Sequence, residues 1–125
     1  MSNPVGWFEI YVKDMPRAKA FYEKMLQVSL SPLAGDMQEE LEMQVFAMDD
    51  QGYGATGSLV KMEGFPSGLG GTIVYFSCQD CAVEAKRAAE AGGNIFKDKF
   101  SIGEHGHIAL VNDTEGNMIG LHSMQ

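Results

Sequence analysis

Apolar and polar residues alternate from the first strand-forming positions onward. In "VGWFEIYV", Phe8, Ile10 and Val12 make one wholly apolar side, while Trp7, Glu9 and Tyr11 make the other. The second side is unusual, because a carboxylate stands between two large rings. A solvent face rarely carries two such rings, and a core does not carry an unpaired acid. The period changes at Asp14, a good helix N-cap with Pro16 in the first turn behind it. Ala18, Phe21, Tyr22, Met25 and Leu26 then recur at helical spacing, with Arg17, Lys19, Glu23 and Lys24 on the other side. Three strand-like runs follow, "VSLSPL", "LEMQVFAM" and "ATGSLVKM", and Pro32 marks the first as an edge or irregular strand.

The Gly- and Pro-rich "EGFPSGLGG" reads as a connector, after which the same order returns. "TIVYFSC" predicts a strand, Asp80 a cap, and "CAVEAKRAAEAGG" an Ala-rich helix stopped by glycine. "NIFKDKFSI", "HIALVND" and "NMIGLHS" predict three more strands. The expected fold class is therefore α+β, with two βαβββ modules at residues 5–63 and 72–125 and a connector at 64–71. A chain of 125 residues suits one domain with a sizeable core.

Each helix must cover one side of its module's strands. Leu41, Met43, Val45 and Ala47 alternate with Glu42, Gln44, Phe46 and Met48; Ile73 and Tyr75 alternate with Thr72, Val74 and Phe76. Ile108 and Leu110 alternate with His107, Ala109 and Val111, and Ile119 and Leu121 with Met118, Gly120 and His122. The more uniformly apolar set of each pair is expected beneath a helix. The mixed set, recurring in both halves, is expected to line a cleft for a small molecule.

Nine Lys and Arg against 17 Asp and Glu give a net charge of −8. That excess argues against nucleic acid and anionic membrane as partners. The acidic runs "GDMQEELEM" and "MDDQGYG" read as solvated strand ends. No run is apolar and long enough for a signal peptide or a membrane span, so a cytoplasmic protein is expected. Cys78 and Cys81 are too few for a disulfide framework, and "CQDC" reads as two ordinary thiols at a strand-to-helix junction. "PSGLGG" lacks the Lys-Ser/Thr ending of a phosphate loop.

"FEIYVKDMPRAKAFYEKML" and "DTEGNMIGL", within a duplicated βαβββ order, resemble the vicinal oxygen chelate superfamily. That group holds glyoxalase I, bleomycin-resistance proteins and extradiol dioxygenases. The resemblance implies an eight-stranded U-shaped mixed sheet enclosing a cavity, usually within a homodimer. In the metal enzymes of the group, four strand positions donate His, Glu or Gln to a divalent ion. Those positions fall here at Trp7, Gly120 and near Ser58 and Thr72, which make no ligand set for Zn²⁺, Ni²⁺ or Fe²⁺. No cofactor is expected on that ground.

Other chemistry is open at this point. If "DTEG" is a four-residue turn, His107 and His122 face each other across the last hairpin, whereas a bulge after Gly116 breaks that pairing. Glu9, His107 and His122 together would make a displaced site of two histidines and one carboxylate for a divalent ion. His105 and His107 in "EHGH" lack further ligands. Glu9 is a candidate general base with His122 as the acid, or an anchor for a cationic ligand group helped by the rings. The candidate ligand contacts are Trp7, Glu9, Tyr11, Gln44, Phe46, Ser58, Thr72, His107 and His122. Three readings follow: a metal-free binder of a partly aromatic or apolar small molecule, a lyase- or isomerase-type enzyme, or a ligand-sensing interaction module.

Overall fold

The computed structural model describes residues 3–33, 41–49 and 51–125. The acidic residues Asp36, Glu39, Glu40 and Asp50, read above as solvated strand ends, lie outside them. The order of elements is the duplicated one: β1 (Val5–Tyr11), α1 (Met15–Leu26), β2 (Ser31–Pro32), β3 (Leu41–Val45) and β4 (Thr56–Met62), then β5 (Thr72–Ser77), α2 (Cys81–Glu90), β6 (Asn94–Ser101), β7 (His107–Asn112) and β8 (Met118–Ser123). A short 3₁₀ turn, Gly103–His105, precedes β7. The fold is α+β, as the sequence predicts.

The chain forms two compact units. One is Trp7–Thr72; the other is Ile73–Gln125 with the N-terminal residues through Gly6. The tie to that N-terminal segment is a hydrogen bond in which Ser77 N–H donates to Pro4 O at 2.9 Å.

In the first unit β2, β3, β4 and β1 lie side by side, with β1 parallel to β4 and the other pairs antiparallel. Asp14 caps α1 by accepting the Arg17 N–H at 3.1 Å. The helix buries Met15 against Leu30 and Leu59, with Ile10, Val12, Ala18, Tyr22 and Phe46 packed around them. β2 is only two residues long, because Pro32 supplies no N–H to extend the ladder.

In the second unit the order is β5, β8, β7, β6, with β5 parallel to β8. Asp80 caps α2 through the Ala82 N–H, and Lys99 binds the same oxygen at 2.8 Å. The Lys99 bond, the capped amide and the nearby His107 hold the Asp80 carboxyl below its usual range. Cys81 and Ala85 of α2 pack on Ala109, Val111 and Leu121.

Which strand faces the helices cover differs from expectation at three strands. Met43 and Val45 are in register with Val60 and Ser58, and Ser58 with Glu9, so all of these face away from α1. Phe46 lies on the α1 side, where its ring meets Tyr22 edge-on at 6.0 Å and Phe8 at 5.7 Å. Gln44, two residues away, shares that side. On β5 and β7 it is Phe76, Ala109 and Val111 that meet α2, while Ile73, Tyr75 and Leu110 face the other way. Met43, Val45, Ile73, Tyr75 and Leu110 are buried on the face away from the helices, so apolar character does not mark the helix side of these strands.

The last hairpin takes the bulged form. Asp113 N–H donates to Asn117 O at 2.9 Å and Gly116 N–H to Asp113 O at 3.3 Å, with Gly116 at φ 87°. The Asp113 carboxylate gathers the Asn117 side chain and the backbone amides of Asn117 and Glu115, which lowers its pKa. The extra residue sets Ile108 opposite His122 and His107 opposite Ser123. His107 and His122 thus occupy opposite faces.

Ser123 closes the second unit. Its buried hydroxyl accepts the Cys81 N–H at 3.0 Å and donates to Gln125 O at 2.7 Å. Ser123→Ala leaves that buried amide without its partner, at a cost of about 1–3 kcal/mol. Urea unfolding followed by circular dichroism should show the midpoint falling with an unchanged slope.

Candidate functional site

Strand β1 places three predicted residues together. Trp7, Glu9 and Tyr11 face away from α1, and the two rings turn their polar ends inward onto the acid. The Trp7 indole Nε1–H donates to Glu9 Oε2 at 3.2 Å, and the Tyr11 hydroxyl donates to Glu9 Oε1 at 2.8 Å. Both carboxylate oxygens are engaged, and such charge-assisted bonds fix the group's plane. Trp7 and Glu9 are half-buried, and Tyr11 is buried. The odd alternation of the first strand is thereby explained: the rings are the hydrogen-bond donors that the acid requires.

The connector holds Tyr11 in place. Phe65 stacks on the phenol ring at 5.2 Å and 22°, and Tyr11 N–H donates to Gly71 O at 2.6 Å. Phe65 escapes a sequence reading because it sits in a Gly- and Pro-rich stretch whose composition signals only a loop. The lone aromatic in that stretch is the signal that was available.

Ser58 stands next to Glu9 in the parallel ladder, on the same face. It is wholly buried, and its hydroxyl oxygen has no hydrogen-bond partner among the described residues. A buried polar atom left unpaired is costly, and a ligand group or water is the usual remedy. Beside the pair, Tyr11, Met43, Val45 and Val60 are each less than a tenth exposed, so the half-open part of this face lies at Trp7 and Glu9.

The other candidates are placed differently. Gln44 and Phe46 belong to the α1 side, and the Gln44 side-chain carbonyl is buried without a partner there. Thr72 is exposed at the start of β5. His107 lies on the α2 side near Asp80, its Nδ1 buried and unpartnered among the described residues. His122 faces away from α2, and its Nε2 contacts His105 O at 2.6 Å. A carbonyl only accepts, so Nε2 carries the proton and spends it on the loop before β7. The acid role expected for His122 therefore has no free Nε2–H.

With His107 and His122 on opposite faces, the displaced two-histidine site does not form. Among the described residues no three of His, Cys, Asp and Glu come together as a metal site. The inherited metal positions do not fit an ion either. The nitrogen of Trp7 bears hydrogen and donates it to Glu9. Gly120 has no side chain, and the Tyr75 ring occupies the space where a β-carbon would project. Cys78 is unsuited to thiolate chemistry, because burial first, then the charges of Glu84 and Cys81, push it up to about 11.

The profile of the Glyoxalase/Bleomycin resistance protein/Dioxygenase superfamily matches residues 5–121. The chain belongs to this superfamily. No curated protein matches it by sequence. Among solved structures it is similar to a hypothetical protein of Bacillus halodurans C-125 (TM-score 0.72, 12% identity, covering 100% of this chain and 96% of that one). It is also similar to methylmalonyl-CoA epimerase from Mycobacterium tuberculosis (0.67, 15%, 98% and 88%). A variant of the Streptomyces coelicolor epimerase, in complex with 2-nitronate-propionyl-CoA, gives 0.66 at 16% identity over 98% of both chains. At these identities the likeness is one of fold. No helix among the described residues is long and apolar enough to cross a membrane.

The Tyr75–Gly120 contact can be tested by substitution. Gly120→Ala should cost about 1–3 kcal/mol by overpacking. In a Tyr75→Val background the same change should cost less, a coupling of at least ~0.5 kcal/mol in a double-mutant cycle of urea midpoints.

Proposed function

We propose that this chain is a small-molecule-binding member of the superfamily that works without the divalent ion. The ligand is a small, partly aromatic or apolar molecule. Trp7 supplies an apolar wall, Glu9 a fixed acceptor, and the Ser58 hydroxyl a second polar contact. The observation that carries this reading is the pairing of a doubly held carboxylate with a buried, unpartnered hydroxyl beside it on one strand face. A ligand donor reaching between them would satisfy Ser58 and meet a carboxylate whose orientation is already set, which lowers the ordering cost of binding. A homodimer and a cytoplasmic setting belong to the same reading, the first checked by light scattering at twice the chain mass.

The enzyme reading, with Glu9 as base and His122 as acid, rests on the fold shared with the epimerases. Against it, both Glu9 oxygens accept hydrogen bonds and the His122 Nε2–H is committed to a carbonyl. A ligand-sensing module remains a use of the same binding step.

A thermal-shift screen of small aromatic and apolar compounds tests the proposal. A ligand at a hundred times its Kd should stabilise the native state by ~2.7 kcal/mol. The shift should vanish in Glu9→Ala and in Trp7→Ala, and weaken in Ser58→Ala. Compounds whose shifts survive all three substitutions would place the site elsewhere.

A further inference from the structure

A second feature of the first unit lies beside the Glu9 clip, sharing Tyr11 with it. A groove of about 520 Å³ runs along the outside of α1 where β1 ends. Its apolar lining includes Ile10, Val12, Phe21 and Tyr22, with Ser67 and Gly68 of the connector among its other walls. Phe21 is 57% exposed, although its ring meets Tyr22 edge-on at 5.1 Å. More than half of the residue is therefore open to solvent and to a guest. The sequence pattern assigned Phe21 to the buried stripe of α1, so its exposure beside a groove needs a reason.

The charged groups of the groove are Lys13, Asp14 and Arg17. Asp14 is already occupied: one oxygen caps the helix through the Arg17 N–H, and the other lies 3.9 Å from the Arg17 guanidinium. That ion pair is at the outer limit of contact, and the guanidinium is largely in solvent. Lys13 makes no ion pair among the described residues. The groove thus presents two cations against one carboxylate, on a chain whose net charge is −8. An acidic protein repels anions in general, so a local surplus of positive charge over aromatic surface selects for one kind of guest.

We infer that this groove binds a small planar aromatic carboxylate. The ring of the guest lies against Phe21, and its carboxylate meets the Arg17 guanidinium, whose fork matches a carboxylate in geometry, with Lys13 alongside. The site adjoins the one proposed above, because Tyr11 also lines the groove, but it uses different side chains for its guest. Phe21, Lys13 and Arg17 take no part in the bonds to Glu9, so either site can fail without the other.

Naphthalene-2-carboxylate is a suitable probe, followed by amide chemical-shift perturbation in the full chain with naphthalene-2-carboxamide as the neutral control. The expected result is saturable shifts centred on Lys13, Arg17, Phe21 and Ser67. The carboxamide should bind at least about fivefold more weakly, the loss appropriate to one exposed charge pair. The double substitution Lys13→Gln and Arg17→Gln should weaken the carboxylate by a similar factor, as should Phe21→Ala. All three positions are solvent-exposed, and an unchanged amide spectrum outside the groove verifies folding. Three results would overturn the inference: no shifts in the groove up to the solubility limit, equal binding of the carboxamide, or shifts centred on Trp7 and Glu9 instead.

Discussion

The acid at position 9 constrains much of what surrounds it. A carboxylate half out of water must find donors or remain solvated. A β-strand offers it same-face neighbours only at every second residue. Trp7 and Tyr11 are those neighbours, and each ends in a group able to donate. The parallel register with β4 sets Ser58 beside them, and the connector turns back to stack Phe65 on Tyr11. A loop that reads as mere spacer in the sequence therefore serves to fix one of the acid's two donors.

Superfamily membership leaves the chemistry of this chain open. The fold is shared with enzymes and with proteins of other function, and fold alone does not assign chemistry. The positions that the family resemblance assigns to metal ligands carry residues with other partners. One carries an indole whose nitrogen is a donor, and another a glycine over which the Tyr75 ring lies. Each is a packed feature with a partner inside its own unit.

Much of the fold was legible because its signals are local. The caps Asp14 and Asp80, the helical spacing of α1 and the repeated order of strands depend on near neighbours in sequence. The side of each strand was less legible. The rule that the more apolar set lies under the helix holds for β1 and β8, and fails for β3, β5 and β7. It fails because both faces are buried: Met43 and Val45 on one strand, and Ile73 and Tyr75 on another, are hidden on the face away from the helices. When both sides exclude water, hydrophobicity no longer identifies the helix side. Gln44, Phe46 and His107, assigned to the candidate site by that rule, lie on the helix side of their strands for that reason. His107 and His122 were separated by the bulge at Gly116, which the sequence allowed but did not require.

The most direct measurement is on the indole itself. The chain has one Trp, so its side-chain N–H gives a single, unambiguous resonance. With Glu9 accepting from Trp7, that proton should exchange slowly with solvent, and its shift should move in Glu9→Gln while the backbone spectrum stays folded. An indole proton that exchanges like a free one, indifferent to Glu9→Gln, would contradict the account.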